Sequence, residues 1–185
     1  MSTRRFDEAT RRFEPFSHGT REYPVLTQAL RNQLRGVPAT GDGAIRYYPC
    51  EVVLVDGTVQ DCVYVVESSE YIRTWGVWPG QDLGKKEIRL VDVTEIRKSP
   101  TSLPQEMAKR LYTAGESGMG YVVFEVSYLD GSRSRHLAGN AVDFVQLAPG
   151  KTTSDIANVH PHAGRGSKEY LKNPDYYWCL FEEKK

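Results

Sequence analysis

Glu51-Val52-Val53-Leu54-Val55-Asp56-Gly57-Thr58-Val59, continuing through Cys62-Val63-Tyr64-Val65-Val66, is the stretch that decides the fold. Two runs of β-branched residues flank an Asp-Gly pair. Asp-Gly accepts the positive φ angles of a tight type I′ turn, so residues 51–66 predict a β-hairpin. The pattern returns between Tyr121 and Leu137, around Asp130-Gly131. Further strands are predicted over 71–78, closed by Pro79-Gly80, over 86–97, over 141–147, and in the aromatic run Tyr176 to Phe181.

Helical signals surround these hairpins. Residues 2–14 carry Asp7/Arg11 and Glu8/Arg12 at i,i+4 spacing, with Phe6 and Phe13 on one face, and predict a short charged helix. Pro24 opens a stripe of Leu26, Leu30 and Leu34 that Gly36 and Pro38 stop, predicting a helix over 24–35. Ser102 and Gln105 have capping-box spacing ahead of Leu103, Met107 and Leu111, with Gly115 as the stop. The expected fold is α+β, mainly antiparallel β: two hairpin units of the SH3-like small-barrel kind, a connecting helix and N-terminal helical segments. The expected organisation is an N-terminal charged segment (1–40), a β-rich core (44–150) and a polar, loop-like tail (151–185) with a closing aromatic strand.

An internal repeat is visible. Val55-Asp56-Gly57-Thr58 resembles Leu129-Asp130-Gly131-Ser132, and Val91-Asp92-Val93 resembles Val142-Asp143-Phe144. Turn and strand are then 36 residues apart in one copy (92 minus 56) and 13 in the other (143 minus 130), leaving 23 extra residues around Trp75 and Trp78. Asp-Gly turns also recur for conformational reasons alone, and that reading is preferred.

Composition excludes some functions. Lys plus Arg and Asp plus Glu number 24 each, a balance that argues against nucleic acid as partner, because phosphate neutralisation needs a basic excess. No apolar run is long enough to span a bilayer, and the charged N-terminus lacks the apolar core of a signal peptide, so a cytoplasmic protein is expected, with no membrane association. Cys50, Cys62 and Cys179 read as buried free thiols.

The candidate sites are few. Tyr71, Arg73, Trp75 and Trp78 are residue types that anchor interfaces, and strand alternation would put the two tryptophans on opposite faces, one of them exposed. They are the expected partner-binding residues. His160 and His162 could ligate a metal with Asp155 or Cys179 nearby in sequence, but no further ligands stand at metal spacing, and a surface loop is the competing reading. A two-residue turn at Asp130-Gly131 would set Glu125 opposite His136 and Ser127 opposite Ser134 on one face, the parts of a Ser/His hydrolase, although a hairpin's polar face is commonly just its wet side. The glycine-rich 115–120 leads from helix to strand, the reverse of a phosphate cradle. The expectation is therefore a non-enzymatic protein-interaction module, without cofactor, serving as subunit or regulator in a larger assembly. The alternatives are a hydrolase or metal enzyme using His136, His160 and His162, and an RNA-binding small barrel using Trp75, Trp78, Lys85, Lys86 and Arg89.

Overall fold

A computed structural model describes residues 4–7, 12–15, 21–41, 43, 45–82, 84–167 and 169–183. It is a mixed α+β structure, mostly strands. The N-terminal pair β1 (Arg4–Asp7) and β2 (Arg12–Pro15) forms an antiparallel ribbon with Phe6 opposite Phe13. This replaces the helix expected over 2–14. Pro15 biases Glu14 toward extended backbone, against the weak pull of the charge pairs. Glu8 and Arg11 of those pairs lie outside the described residues.

Two larger sheets follow. The first has the order β5-β11-β4-β3-β6, from β3 (Tyr48–Leu54), β4 (Val59–Glu67), β5 (Lys86–Glu87), β6 (Val93–Lys98) and β11 (Tyr177–Phe181). The second has the order β10-β8-β7-β9, from β7 (Val122–Tyr128), β8 (Arg133–Ala138), β9 (Ile156–Pro161) and β10 (Leu171–Lys172). Neither closes into a barrel among the described residues. The helices are α1 (Gln28–Leu34), α2 (Ser68–Trp75) and α3 (Gln105–Ala114).

Both Asp-Gly hairpins turn differently from the expectation, and in the same way. Gly57 N–H donates to Leu54 O at 2.9 Å and Leu54 N–H to Thr58 O at 2.8 Å; Gly131 N–H donates to Tyr128 O and Tyr128 N–H to Ser132 O, both at 2.9 Å. Only the glycines take positive φ, +84° and +82°. Each loop thus has three residues ending in a left-handed glycine, not two in a type I′ turn. Asp56 and Asp130 accept from the amides of Thr58 and Ser132 at 2.9 and 3.0 Å, which holds that turn.

The resemblance between the halves extends beyond the turns. Asp92 and Asp155 close 3₁₀ turns (Leu90–Asp92 and Thr153–Asp155) whose last carbonyls accept from Val55 N–H at 2.8 Å and Leu129 N–H at 2.9 Å. The following strands, β6 and β9, pair antiparallel with β3 and β7, each with a register shift at the same place, Leu54 opposite Val93 and Tyr128 opposite Ile156. A helix precedes each hairpin and packs on its third strand, α1 on β6 and α3 on β9. Each outer hairpin strand gains a parallel neighbour, β11 beside β4 and β10 beside β8. The halves share one plan, so the turn is more than a reused motif. The counterpart of Val91-Asp92-Val93 is Ser154-Asp155-Ile156, not Val142-Asp143-Phe144, and the second interval is 25 residues (155 minus 130). The first half therefore holds 11 extra residues (36 minus 25), not 23.

Other expectations are corrected here. Residues 141–147 form no regular strand; only Phe144 bridges, to Ser102. The tail is not loop-like, since it supplies β9 and β10. The capping box at Ser102 is absent: Ser102 Oγ donates to Ser99 O at 2.8 Å, Leu103 N–H donates to Asp143 O at 2.8 Å, and this extended anchoring delays the helix until Pro104 acts as N-cap.

The first sheet is buried on both faces. Cys50, Val52, Val63 and Val65 meet Leu30 and Leu34 of α1 on one side, while Tyr64, Val66, Trp178 and Leu180 meet Tyr47, Tyr71, Trp78 and Phe144 on the other. The second sheet buries Phe124, Val126 and Val159 against Ala108 and Leu111 of α3. Segment 141–145 is a shared wall, with Ala141 and Phe144 in the aromatic cluster and Val142 and Val145 in the second core. All three cysteines are free and buried.

Candidate functional site

The stretch expected as strand 71–78 is instead α2 and the turn after it. Glu67 is its N-cap, accepting from Glu70 N–H at 2.8 Å, and Gly76 at φ +68° ends it with an N–H bond to Ile72 O at 2.9 Å. Helical spacing places Tyr71 and Trp75 together, not Tyr71, Arg73 and Trp75. Tyr71 is fully buried, its ring 5.0 Å from that of Trp178; Trp75 is half-buried, 6.0 Å from Trp178. Trp78 is buried against Tyr23 at 5.3 Å. The expected outward tryptophan is thus neither fully exposed nor selected by strand alternation. Arg73 is exposed and, with Arg46, Glu70 and Trp78, lines an open groove of about 680 Å³.

Lys85 holds Trp75 in place. Its Nζ lies 4.3 Å from the Trp75 ring centroid and 5.4 Å from that of Tyr71, while Asp82 pairs with it at 3.0 Å. The other cations considered for nucleic acid are also paired, Lys86 with Asp175 at 2.7 Å and Arg89 with Asp92 at 2.8 Å.

Between α2 and α3 opens a cleft of about 280 Å³. Tyr47, Thr74, Trp75 and Tyr112 line it, with Glu116 and Asn140 among its polar groups and Leu111, Val122 and Val142 among its apolar ones. Tyr112 is fixed from behind. Its hydroxyl donates to Asp143 Oδ2 at 2.5 Å, and the Tyr64 hydroxyl donates to the same oxygen at 3.0 Å. Asp143 is fully buried, and burial raises its pKa, opposed by the hydroxyls of Tyr112, Thr40 and Tyr64. Burial, then the nearby Asp143, pushes both tyrosines up as well. Because Tyr64 belongs to the first sheet and Tyr112 to α3, Asp143 ties the two halves together.

The second hairpin's register overturns the expected Ser-His-Glu face. The three-residue turn sets Phe124 opposite His136 and Glu125 opposite Arg135, and a one-residue slip exchanges faces. Ser134 and His136 do meet, at 2.7 Å, with Tyr128 OH 2.9 Å from Ser134. Yet His136 is fully buried, stacked on Phe124 at 5.1 Å, and burial lowers its pKa to about 4. Glu125 is on the other face, paired with Arg133 at 3.0 Å and Arg135 at 3.6 Å.

His160 and His162 do not converge. His160 Nε2 meets Ser127 Oγ at 3.2 Å, whereas His162 bonds Ser117 Oγ at 2.8 Å and Ala114 O at 3.1 Å, fastening the end of α3. Asp155 is occupied in its own capping box, and Cys179 is buried in the first core. Among the described residues no three His, Cys, Asp or Glu side chains are grouped to hold a metal ion, and no helix is long and apolar enough to cross a membrane.

Compared with known proteins, the chain matches no family model, no curated protein and no solved structure. The site is therefore read from its own chemistry. Sequence reasoning reached Trp75 but missed Tyr47, Thr74, Tyr112, Glu116 and Asn140, which assemble only when the halves pack. The cap at Glu67 and the stop at Gly76 were the local signals that would have revealed α2.

Proposed function

We propose that this protein is a non-enzymatic protein-interaction module of the cytoplasm, a subunit or regulator that meets its partner through the α2 region. The observation that carries the reading is the position of Trp75 and Arg73. They lie in the connection from hairpin to 3₁₀ turn, which is longer in the first half (68–89) than in the second (139–152), and they remain half-buried and exposed. Added length on a shared plan is where function tends to reside. The loop that starts at Gly115 and Glu116 and leads to Val122, all cleft residues, extends the surface with Met119, 97% exposed, and Tyr121, 41% exposed. Trp, Arg, Tyr and Met are the residue types enriched in interfaces. Tyr71 and Trp78 serve as buried support.

The test compares native-lysate capture by the wild type, Arg73→Glu, Trp75→Ala and Leu129→Ser, the last on the distant hairpin tip. One protein should be retained stoichiometrically by the wild type and Leu129→Ser and lost by the other two, at a cost of about 2 kcal/mol or more for Trp75. An identical captured set for all four would remove the reading.

A further inference from the structure

We infer that the face of the second sheet turned away from α3 is a docking surface for an extended acidic segment of another protein, one with carboxylates at alternate positions. This surface is separate from the α2 region and does not rest on the reading of that region.

The shared plan of the halves marks this face as the uncovered one. In the first sheet, Trp178 of β11 pairs with Tyr64 of β4, and both are buried beneath Tyr47, Tyr71 and Phe144. In the second, Lys172 of β10 pairs with Leu137 of β8; Lys172 is exposed and Leu137 only half-buried. Register completes the face. Glu125 stands between Arg135 and His160, and Ser127 between Arg133 and Asn158, on the opposite side of the sheet from Phe124 and Val126.

Its charge is one-sided. Among the strand positions of this face Arg133, Arg135 and Lys172 are cations and Glu125 is the single acid. The two arginines share that carboxylate, Arg133 Nη1 at 3.0 Å and Arg135 Nε at 3.6 Å. The side chain of Glu125 is only 10% exposed, whereas those of Arg133 and Arg135 are 66% and 50% exposed. The counter-charge therefore lies beneath, and the guanidinium groups keep donors open to solvent. Arg135 is also held in place. A Cβ on Gly164 would stand 2.8 Å from Arg135 Cδ, so the stem lies directly on that glycine, and Nη1 donates to Ser167 Oγ at 3.4 Å. Cations positioned in this way lose little freedom when an anion arrives.

Spacing selects the occupant. Arg133 and Arg135 are two residues apart on β8, and Lys172 lies beside Leu137, two residues further on. Cations thus recur about every 6.6 Å along the strands, which is also the distance between alternate side chains of an extended peptide. A carboxylate at each alternate position meets one cation, and the arginine forks accept it in bidentate fashion. A lone phosphate would serve the arginine pair and leave Lys172 aside. A nucleic acid would find no basic excess around the face, because the chain as a whole has no net charge. Glu125 repels an acid placed over β7, and so directs the segment along β8 and β10.

Two synthetic peptides of one composition, three glutamates and four threonines, separate spacing from charge. The first alternates the two residues. In the second the glutamates stand at every third position, so that successive ones face opposite sides of an extended chain. A third peptide replaces the glutamates of the first by glutamine. Fluorescence anisotropy with the full chain at about 50 mM salt reads the affinities. The alternating peptide should bind about fivefold more tightly than its isomer and weaken as salt is raised, while the glutamine peptide should not bind at about 1 mM. Exposed Lys172→Gln should weaken the alternating peptide about threefold, and Arg133→Gln and Arg135→Gln about fivefold each. Arg89→Gln, on the first half, should change nothing. Glu125→Gln releases both arginines and should tighten binding about threefold, a gain that a loss of folding could not imitate. The inference is overturned if the alternating peptide fails to bind at about 1 mM, if its isomer binds as well, or if Lys172→Gln and Arg135→Gln both bind like the wild type. Tighter binding of a heptauridylate than of the peptide would also overturn it, in favour of RNA. An identical captured set for all four proteins in the lysate experiment, with these peptide results intact, would fault only the reading of the α2 region.

Discussion

The two halves repeat one plan of helix, hairpin, 3₁₀ turn and third strand, but they bury it differently. In the first, β4 is enclosed on both faces, by α1 on one side and the aromatic layer on the other. In the second, only one face of β7 meets an apolar core; the other carries Glu125 with its two arginines and Ser127 with His160. Backbone hydrogen bonding sets the plan, while what packs on each face decides which half is core and which keeps a polar side. The polar residues on the second hairpin thus accompany its single-sided burial.

Parallel strands at equivalent places give the largest test of this contrast. Trp178 in β11 lies beside Tyr64 and is fully buried, whereas Leu171 in β10 lies beside His136 and is half-buried. Trp178→Ala should cost about 3–5 kcal/mol in chemical denaturation, and Leu171→Ala about 1 kcal/mol. Equal losses would mean that the two halves are enclosed alike.

A pH titration probes the second half. The pKa of His136 falls from 6.5 to about 4 on folding, chiefly through burial. Between those values the unfolded chain binds a proton that the folded chain refuses, so the stabilisation is complete above about pH 6.5 and is lost as the pH falls toward about 4. The loss should be of order 3 kcal/mol. Stability of His136→Gln measured across the same window should be distinctly flatter; a curve parallel to the wild type would assign the acid sensitivity to other groups.

The tie between the halves should show a smaller effect. Asp143→Ala leaves the Tyr64 and Tyr112 hydroxyls without their shared acceptor but also removes a buried acid, for a net loss of about 2 kcal/mol. Urea unfolding of Asp143→Ala and Asp143→Asn checks this, and Asn should recover part of the loss. If Ala and wild type share a midpoint, Asp143 is no keystone.

Least costly are the turns. Gly57 and Gly131 have left-handed φ and open space where a Cβ would stand, so alanine meets only backbone strain. Each substitution should cost about 1 kcal/mol, and the two should cost the same. A clear difference in denaturation midpoints would weaken the equivalence of the two hairpins.

The hairpins were legible because Asp-Gly and the β-branched runs act locally. Their register was not, since Asp-Gly fits both a two-residue turn and the end of a three-residue loop, and the choice moved His136 away from Glu125. The aromatic content of Tyr71, Trp75 and Trp78 favoured a strand, and outweighed the Glu67 cap and Gly76 stop that mark α2. Ile156 to Pro161 lacks strong β signals, and becomes a strand because β7 offers it an unpaired edge. Trp75 was within reach of sequence reasoning, but the cleft was not, because Tyr47, Tyr112 and Asn140 are brought to it by the packing of one half on the other.

The placement of β11 has a consequence for how the chain acquires its structure. Tyr177 pairs with Val63, 114 residues away (177 minus 63), and inserts between β4 and β5. During synthesis β4 is complete at residue 67 but β11 begins only at residue 177, so β4 waits through 109 intervening residues (68–176) with its outer edge unpaired. Long-range pairing of this sort slows folding, and an unpaired strand edge invites association with other chains. The first half, the better buried of the two once finished, is therefore begun first but closed only when β11 arrives, and the nascent chain is most in need of chaperone protection while β4 stands without its neighbour.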